Sequence, residues 1–185
     1  MSLEEEQLLV EEAQGGSIVA FEKLLELYEL PIRRYCRALR GHVEEGDDAA
    51  QVTFVRVWKH LPNLREIDSF RAWMFSVARN VCRDAARKGR RRVVTTPLDA
   101  ADSQIDQHLA SAGVSLDDRI AAREKLDAVL AGLTFAEKDI LLLRELEDLT
   151  YEEIAGQLGS SVDSVKGRLK RLRHKVKHII CSNQD

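Results

Sequence analysis

Between Thr150 and Val176 the apolar residues keep a helical rhythm that is interrupted once, at Gly159. Thr150 is followed three residues on by Glu153, the spacing of a capping box, and Ile154, Ala155 and Leu158 share one face of the short helix that follows. Gly159 is the residue type that enters a left-handed turn without steric cost. Ser160 or Ser161 then caps a second helix, in which Val162, Val165, Leu169, Leu172 and Val176 recur at alternating spacings of three and four. Two helices, a tight turn and one buried stripe spell a helix-turn-helix. Off the stripe stand Ser164, Lys166, Gly167, Lys170 and Arg171, toward the groove of a bound duplex, with Arg168, Arg173 and Lys175 placed as phosphate anchors. A basic free face is what a helix needs to enter the major groove, where cations neutralise phosphates and a few side chains reach base edges.

The rest of the chain also reads as helix. Ser2 with Glu5 predicts a capped first helix, broken at Gly15-Gly16. Ser17 opens a second, with Ile18, Phe21, Leu24, Leu25 and Tyr28 on one face; Pro31 is expected to kink or interrupt it before Ile32, Tyr35, Cys36 and Leu39 carry it to Gly41. A third is expected from about Glu44 to Leu61 with Phe54, Trp58 and Leu61 as its apolar stripe. After a polar loop, Asn63 to Asp68, Asp68 or Ser69 can cap a fourth helix lined by Phe70, Trp73, Met74, Val77, Val81 and Ala85. Helical pattern returns at Leu116 with Ile120, Leu126, Val129 and Leu130, and again at Phe135, Ile140, Leu141 and Leu142.

Charge is segregated along the chain although the total is only -3. Ala78–Arg92 carries a net +6 and Thr150–His178 a net +4, while Val93–Asp118 holds five aspartates and no Lys or Arg. Two basic segments around an acidic one mark separate jobs. Periodicity fades across Val93–Ser115, as in a linker that is flexible when free. The expected class is therefore all-α, two small helical domains joined by an acidic linker. No apolar run is long enough for a membrane span, and Met1–Glu12 is acidic without a signal-peptide core, so a cytoplasmic protein is expected. Cys36, Cys82 and Cys181 form no C-x-x-C pair; Cys36 and Cys82 read as small core residues.

A second motif lies upstream. Asp48, Gln51, Phe54 and Trp58 form a D-x-x-Q-x-x-F-x-x-x-W run, followed by Ser69-Phe70-x-Ala72-Trp73 and Ala78-Arg79-Asn80. Physically this is an amphipathic helix, a polar loop and a helix ending in cations. Aromatic rings beside positive charge suit unpaired bases, although Phe54, Trp58, Phe70 and Trp73 read first as core residues. The run resembles the second domain of extracytoplasmic-function sigma factors, and Tyr151-Glu152-Glu153-Ile154-Ala155 resembles the start of the helix-turn-helix in their fourth; together they span nearly the whole chain in the family's order, without an intervening third domain.

The resemblance implies a domain two over residues 1–92, a linker over 93–115 threading toward the polymerase active-site cleft, and a domain four over 116–185. It implies that Asp48, Gln51, Phe54, Val55 and Trp58 dock on the clamp helices of the largest subunit of core RNA polymerase, with the second subunit's flap as a further contact. It implies that Asn63, Arg65, Asp68, Ser69, Arg79, Asn80 and Arg83 meet the non-template minus-ten strand, with a base flipped into a pocket. Ser164, Lys166, Gly167, Arg168, Lys170, Arg171 and Arg173 would face the minus-thirty-five element. An anti-sigma factor is an implied partner; no cofactor and no membrane insertion are implied.

Two other classes compete. A helix-turn-helix regulator acting on duplex DNA without polymerase leaves the Asp48-to-Asn80 segment without a role. An enzyme lacks a signature: Asp47-Asp48 has no third carboxylate partner, and there is no H-E-x-x-H, phosphate loop or nucleophile elbow, so no catalytic residue is assigned. His174, His178 and Cys181 stand at i, i+4 and i+7, one face of a continuous helix; incidental histidines on a basic terminus explain them without a metal.

Overall fold

The structure, a computed structural model, describes residues 2–89 and 125–182, and every regular element among them is helical. Helices α1 (Leu3–Gln14), α2 (Ile18–Arg40), α3 (Val43–His60) and α4 (Phe70–Gly89) form one bundle. Two 3-10 turns, Leu61–Asn63 and Ile67–Ser69, lie between α3 and α4. The second bundle holds α5 (125–131), α6 (Phe135–Glu145), α7 (Tyr151–Leu158) and α8 (Val162–Ser182). The expected all-α class is met. The acidic linker, Arg90–Arg92 and the helical start at Leu116 and Ile120 fall outside the described residues.

Helix ends follow from side-chain chemistry. The Ser2 hydroxyl accepts from the Glu5 N–H at 3.2 Å while Glu5 accepts from the Ser2 N–H at 2.8 Å. Thr134 with Glu137 and Thr150 with Glu153 repeat this reciprocal box at α6 and α7. The Ser161 hydroxyl accepts from the Ser164 N–H at the start of α8. Each cap satisfies N–H groups that the helix cannot, at about 1 kcal/mol apiece. Gly41 (φ 76°) ends α2, and Gly159 (φ 58°) ends α7 in the left-handed turn that its sequence position predicts.

Three expectations need correction. Pro31 neither ends nor divides α2, which runs unbroken through 23 residues. Its missing N–H frees the carbonyl of Leu27, but Leu27 is on the exposed side where water can reach it. Tyr28, Ile32, Tyr35, Cys36 and Leu39, all buried, hold the helix on the other side. Ile18 is not on the buried face but 64% exposed. The core stripe of α3 is Gly46, Ala49, Ala50, Thr53 and Val57, continued by Leu61, with Phe54 and Trp58 only half-buried beside it.

Small residues on α3 let it lie close on α2. A Cβ on Gly46 would stand 2.5 Å from the Arg37 Cα, so only glycine fits this crossing. Next to it the Arg37 guanidinium donates twice to the Asp47 carboxylate, at 2.9 Å each, a bidentate clasp. Burial acts to raise the Asp47 carboxyl, and Arg37 and Arg33 outweigh it, leaving it below the usual carboxylate range. Deeper in, Tyr35 and Phe75 meet edge to face at 5.2 Å. Cys36 and Cys82 are both fully buried, and a hydrogen bond to Cys82 and burial hold the Cys36 thiol far above its usual value, in keeping with inert core residues. In the second bundle Leu143, Leu149, Ile154, Val165 and Leu169 make the centre of the core. The two bundles are in contact, α2 and α4 against α6 and α7.

Candidate nucleic-acid interface

The motif on α3 divides between two faces. Asp48, Gln51 and Val55 point outward, and with Val52 they make one stripe along the helix. Val52 is 43% and Val55 53% exposed, an apolar strip that the bundle does not cover. Phe54 and Trp58 turn toward the core, where Trp58 packs on Phe21 with ring centroids 4.8 Å apart. Trp58 thus acts behind the surface, holding α3 on α2, with Phe54 packed on the core beside it, while Asp48, Gln51 and Val55 are on the surface. Val52 was missed in the sequence because valine at a helix position reads as core.

The loop before α4 is propped from behind. The Gln14 amide donates to the carbonyls of Leu61, at 3.1 Å, and Leu64, at 2.7 Å. Gln14 carries no motif, so nothing in the sequence marked it. Asn63 and Arg65 are exposed and Ser69 is half-buried, its hydroxyl donating to the Glu66 carbonyl at 2.9 Å. Arg65, Ser69 and Glu153 share the rim of an open depression of about 590 Å³. On α4, Arg83 is exposed and donates to the Asn80 side-chain oxygen at 3.0 Å. Arg79 is different. It faces the second bundle and donates to the Gln157 carbonyl at 2.8 Å, with its side chain 11% exposed. The structure therefore brings Asn63, Arg65, Ser69, Asn80 and Arg83 to the surface and draws Arg79 into a seam.

On α8 the side chains of Lys166, Arg168, Lys170, Arg171 and Arg173 are exposed, Ser164 is half-buried near the cap, and Val165, Leu169 and Leu172 are buried as the stripe requires. Gly167 has open space around it, a Cβ there meeting only the Arg171 Nη1, at 3.8 Å. Two cations bracket the ring of Tyr151, Arg144 at 4.9 Å and Lys166 at 5.6 Å from its centroid. Arg144 was not marked by sequence reasoning, and Tyr151 entered there only as the start of the helix-turn-helix motif. Arg173 pairs with Glu145 at 2.8 Å and Lys175 with Glu137 at 2.8 Å, so α6 acids already hold two of the anchors. His178 lies 3.3 Å from the Ser182 hydroxyl, and among the described residues no group of His, Cys, Asp or Glu is arranged to hold a metal ion.

Comparison with known proteins identifies two regions along the chain. The family model for Sigma-70 region 2 matches residues 24–92 and that for Sigma-70 region 4 matches residues 123–176. The chain is 29% identical to the RNA polymerase sigma factor CnrH of Cupriavidus metallidurans, over 97% of this chain and 96% of that one. It is 26% identical to the ECF RNA polymerase sigma-E factor of Salmonella typhimurium, over 92% of each. Its fold is similar to that of CnrH in complex with the cytosolic domain of CnrY, with a TM-score of 0.71 and 23% identity over 96% of this chain and 98% of that one. The sigma factor RpoE of Bartonella quintana, in complex with the anti-sigma factor NepR, matches with a TM-score of 0.67 and 21% identity over 86% of this chain and 96% of that one. With the two regions in order, the exposed strip on α3 and the basic face of α8, the chain belongs to the extracytoplasmic-function group of RNA polymerase sigma factors.

Proposed function

We propose that this chain binds core RNA polymerase and directs promoter-specific initiation. Asp48, Gln51, Val52 and Val55 form the surface of α3 that docks on the polymerase, and Phe54 and Trp58 fix its angle from behind. Asn63, Arg65, Asp68, Ser69, Arg79, Asn80 and Arg83 engage the non-template minus-ten strand. The free face of α8, from Ser164 to Arg173, reads the minus-thirty-five element, with Lys166, Lys170 and Arg171 toward base edges. Residues 1–92 serve as the first module, 93–115 as the linker and 116–185 as the second. The chain works without chemistry of its own, in the cytoplasm, and an anti-sigma factor restrains it; the two similar solved structures are themselves sigma factors, one held by CnrY and one by NepR. Among the described residues no helix is long and apolar enough to cross a membrane.

The observation that carries this reading is the pairing of an uncovered Val52/Val55 strip on α3 with a basic recognition helix on the same chain. A duplex-DNA regulator needs the second and has no use for the first. Purified protein with core polymerase, assayed for run-off transcripts across genomic fragments, tests it. Defined start sites are expected; a complete absence of specific transcripts from any fragment removes the proposal.

A further inference from the structure

Polar groups cross the seam between the bundles, beside a buried apolar cluster that runs through both. From the second bundle, the Gln157 amide donates to the Ala72 carbonyl of α4 at 2.8 Å, and the Gln157 carbonyl accepts from Arg79 at 2.8 Å. Asp139 on α6 accepts from the Tyr35 hydroxyl of α2 at 2.5 Å and stands 4.0 Å from Arg79. Glu147, after α6, lies 3.4 Å from Arg71 of α4. Asp139 and Glu147 are each 3% exposed. Two carboxylates of one bundle thus end among the hydroxyl and guanidinium groups of the other.

This contact covers the candidate surfaces unequally. Arg79, a minus-ten residue in the reading above, is spent on Gln157 and Asp139. Glu153, at the first turn of α7, lines the same depression as Arg65 and Ser69, beside Glu11 and Glu66 of the first bundle. Asp48, Gln51, Val52 and Val55 remain exposed, as do Lys166, Lys170 and Arg171.

We infer that the seam is an autoinhibitory latch that masks the minus-ten face while leaving the polymerase-docking strip and the recognition helix open. The inference rests on the minus-ten assignment proposed above. The Arg79 side chain is only 11% exposed in the seam, so strand capture requires it to leave Gln157. The seam is also made to part. Arg79 Nε and Gln157 Oε1 are buried without a hydrogen-bond partner, and both recover solvation when the bundles separate. Polymerase therefore meets the closed chain first, and minus-ten capture follows opening.

The test uses the full chain and two seam variants, Asp139→Ala and Gln157→Ala. Small-angle scattering reads the separation of the bundles. Anisotropy of a labelled, randomised single-stranded 12-mer pool reads the minus-ten face, and titration with core polymerase reads the docking strip. Expected are a larger radius of gyration, at least tenfold tighter strand binding, and polymerase affinity within twofold of wild type. Adding Arg79→Ala to either variant should return strand affinity toward the starting value. Gln157→Ala removes the amide that holds the Ala72 carbonyl and leaves the Arg79 bond to the main-chain carbonyl of residue 157, so it loosens the seam without touching either core and decides the matter if Asp139→Ala misfolds. Unchanged dimensions in Gln157→Ala overturn the latch, and so does expansion without tighter strand binding. Run-off transcription by the wild-type chain, measured in parallel, separates the two claims. Specific transcripts together with an unmoved seam sink the latch alone; no transcripts at all sink the functional reading whatever the seam does.

Discussion

Gly46→Ala is a one-carbon change whose cost follows from geometry. The added Cβ would meet the Arg37 Cα at 2.5 Å and the Arg37 nitrogen at 2.7 Å, both backbone atoms of α2. No rotamer change relieves a clash with backbone, so α3 must shift bodily. Overpacking a tight core costs typically 1–3 kcal/mol, and a backbone clash belongs at about 3. Replacing glycine by alanine inside a helix returns about 1 kcal/mol. A net loss of about 2 kcal/mol is expected, or a drop in Tm of about 4–8 °C for a chain of this size. The shift also tilts the strip of Asp48, Gln51 and Val55 and strains the Arg37–Asp47 clasp beside it, so polymerase affinity should fall with stability. Gly167→Ala is the internal control: the space there is open, so the same helix-propensity gain should appear alone, as up to about 1 kcal/mol of added stability. Thermal unfolding followed by circular dichroism measures both. A Gly46→Ala protein that melts at or above wild type would falsify the close α2–α3 crossing.

Thr150→Ala removes the hydroxyl that accepts from the Glu153 N–H, and a loss of about 1 kcal/mol is expected in urea unfolding; no change would mean that the box contributes nothing. Asn80→Ala and Arg65→Ala are expected to lower permanganate reactivity at the start site while polymerase affinity holds, and normal reactivity counts against the minus-ten assignment. Lys166→Ala, Lys170→Ala and Arg171→Ala should each relax preference at one minus-thirty-five position by roughly 1–3 kcal/mol, whereas Arg168→Ala weakens all promoters alike and flattens the salt slope; unaltered selected sequences in all three reader variants would put the wrong face in the groove. Burial raises the Asp139 carboxyl against the opposing pull of Tyr35 on α2 and Arg79 and Arg83 on α4, and raises Glu147 against Arg71 on α4 and Arg34 on α2, with Asp148 adding to the rise. Groups raised in the closed form stabilise it fully below their open-state values and lose that contribution as pH climbs through the closed-state values. Scattering should therefore report a more compact chain at the acid end of the range in which it stays folded, and expansion on acidification would reverse the sign.

What the sequence made legible was local. The capping boxes at Ser2 and Thr150 and the turn at Gly159 involve residues three to five apart, so their chemistry is written in the order of the chain. The Val165/Leu169/Leu172 stripe is legible for the same reason. Pro31 misled because its local preference was weighed without the long buried face that overrides it. On α3 the largest apolar residues, Phe54 and Trp58, suggested the core stripe, whereas a close helix crossing selects the smallest, Gly46, Ala49 and Ala50. Size marks a core only where helices stand far enough apart to admit it.

The seam was illegible for a deeper reason. Contacts inside a bundle never meet water once formed, so they are apolar and periodic, and pattern reveals them. A contact that opens must be built from groups stable in both states. Tyr35, Arg79, Asp139, Glu147 and Gln157 meet that requirement, and all but Arg79 read in the sequence as ordinary surface or core residues. Asp139 stands on the apolar side of α6, one position before Ile140, where a buried carboxylate stabilises its own bundle in no way that the pattern rewards. Its partners are about a hundred residues away on α2 and sixty on α4, beyond any spacing rule. The family resemblance of Ala78-Arg79-Asn80 implies a DNA contact for Arg79, and in the structure Arg79 serves the seam instead. Both readings hold if the residue changes partner, and a cation that exchanges a protein carbonyl for a phosphate supplies that change without any new group.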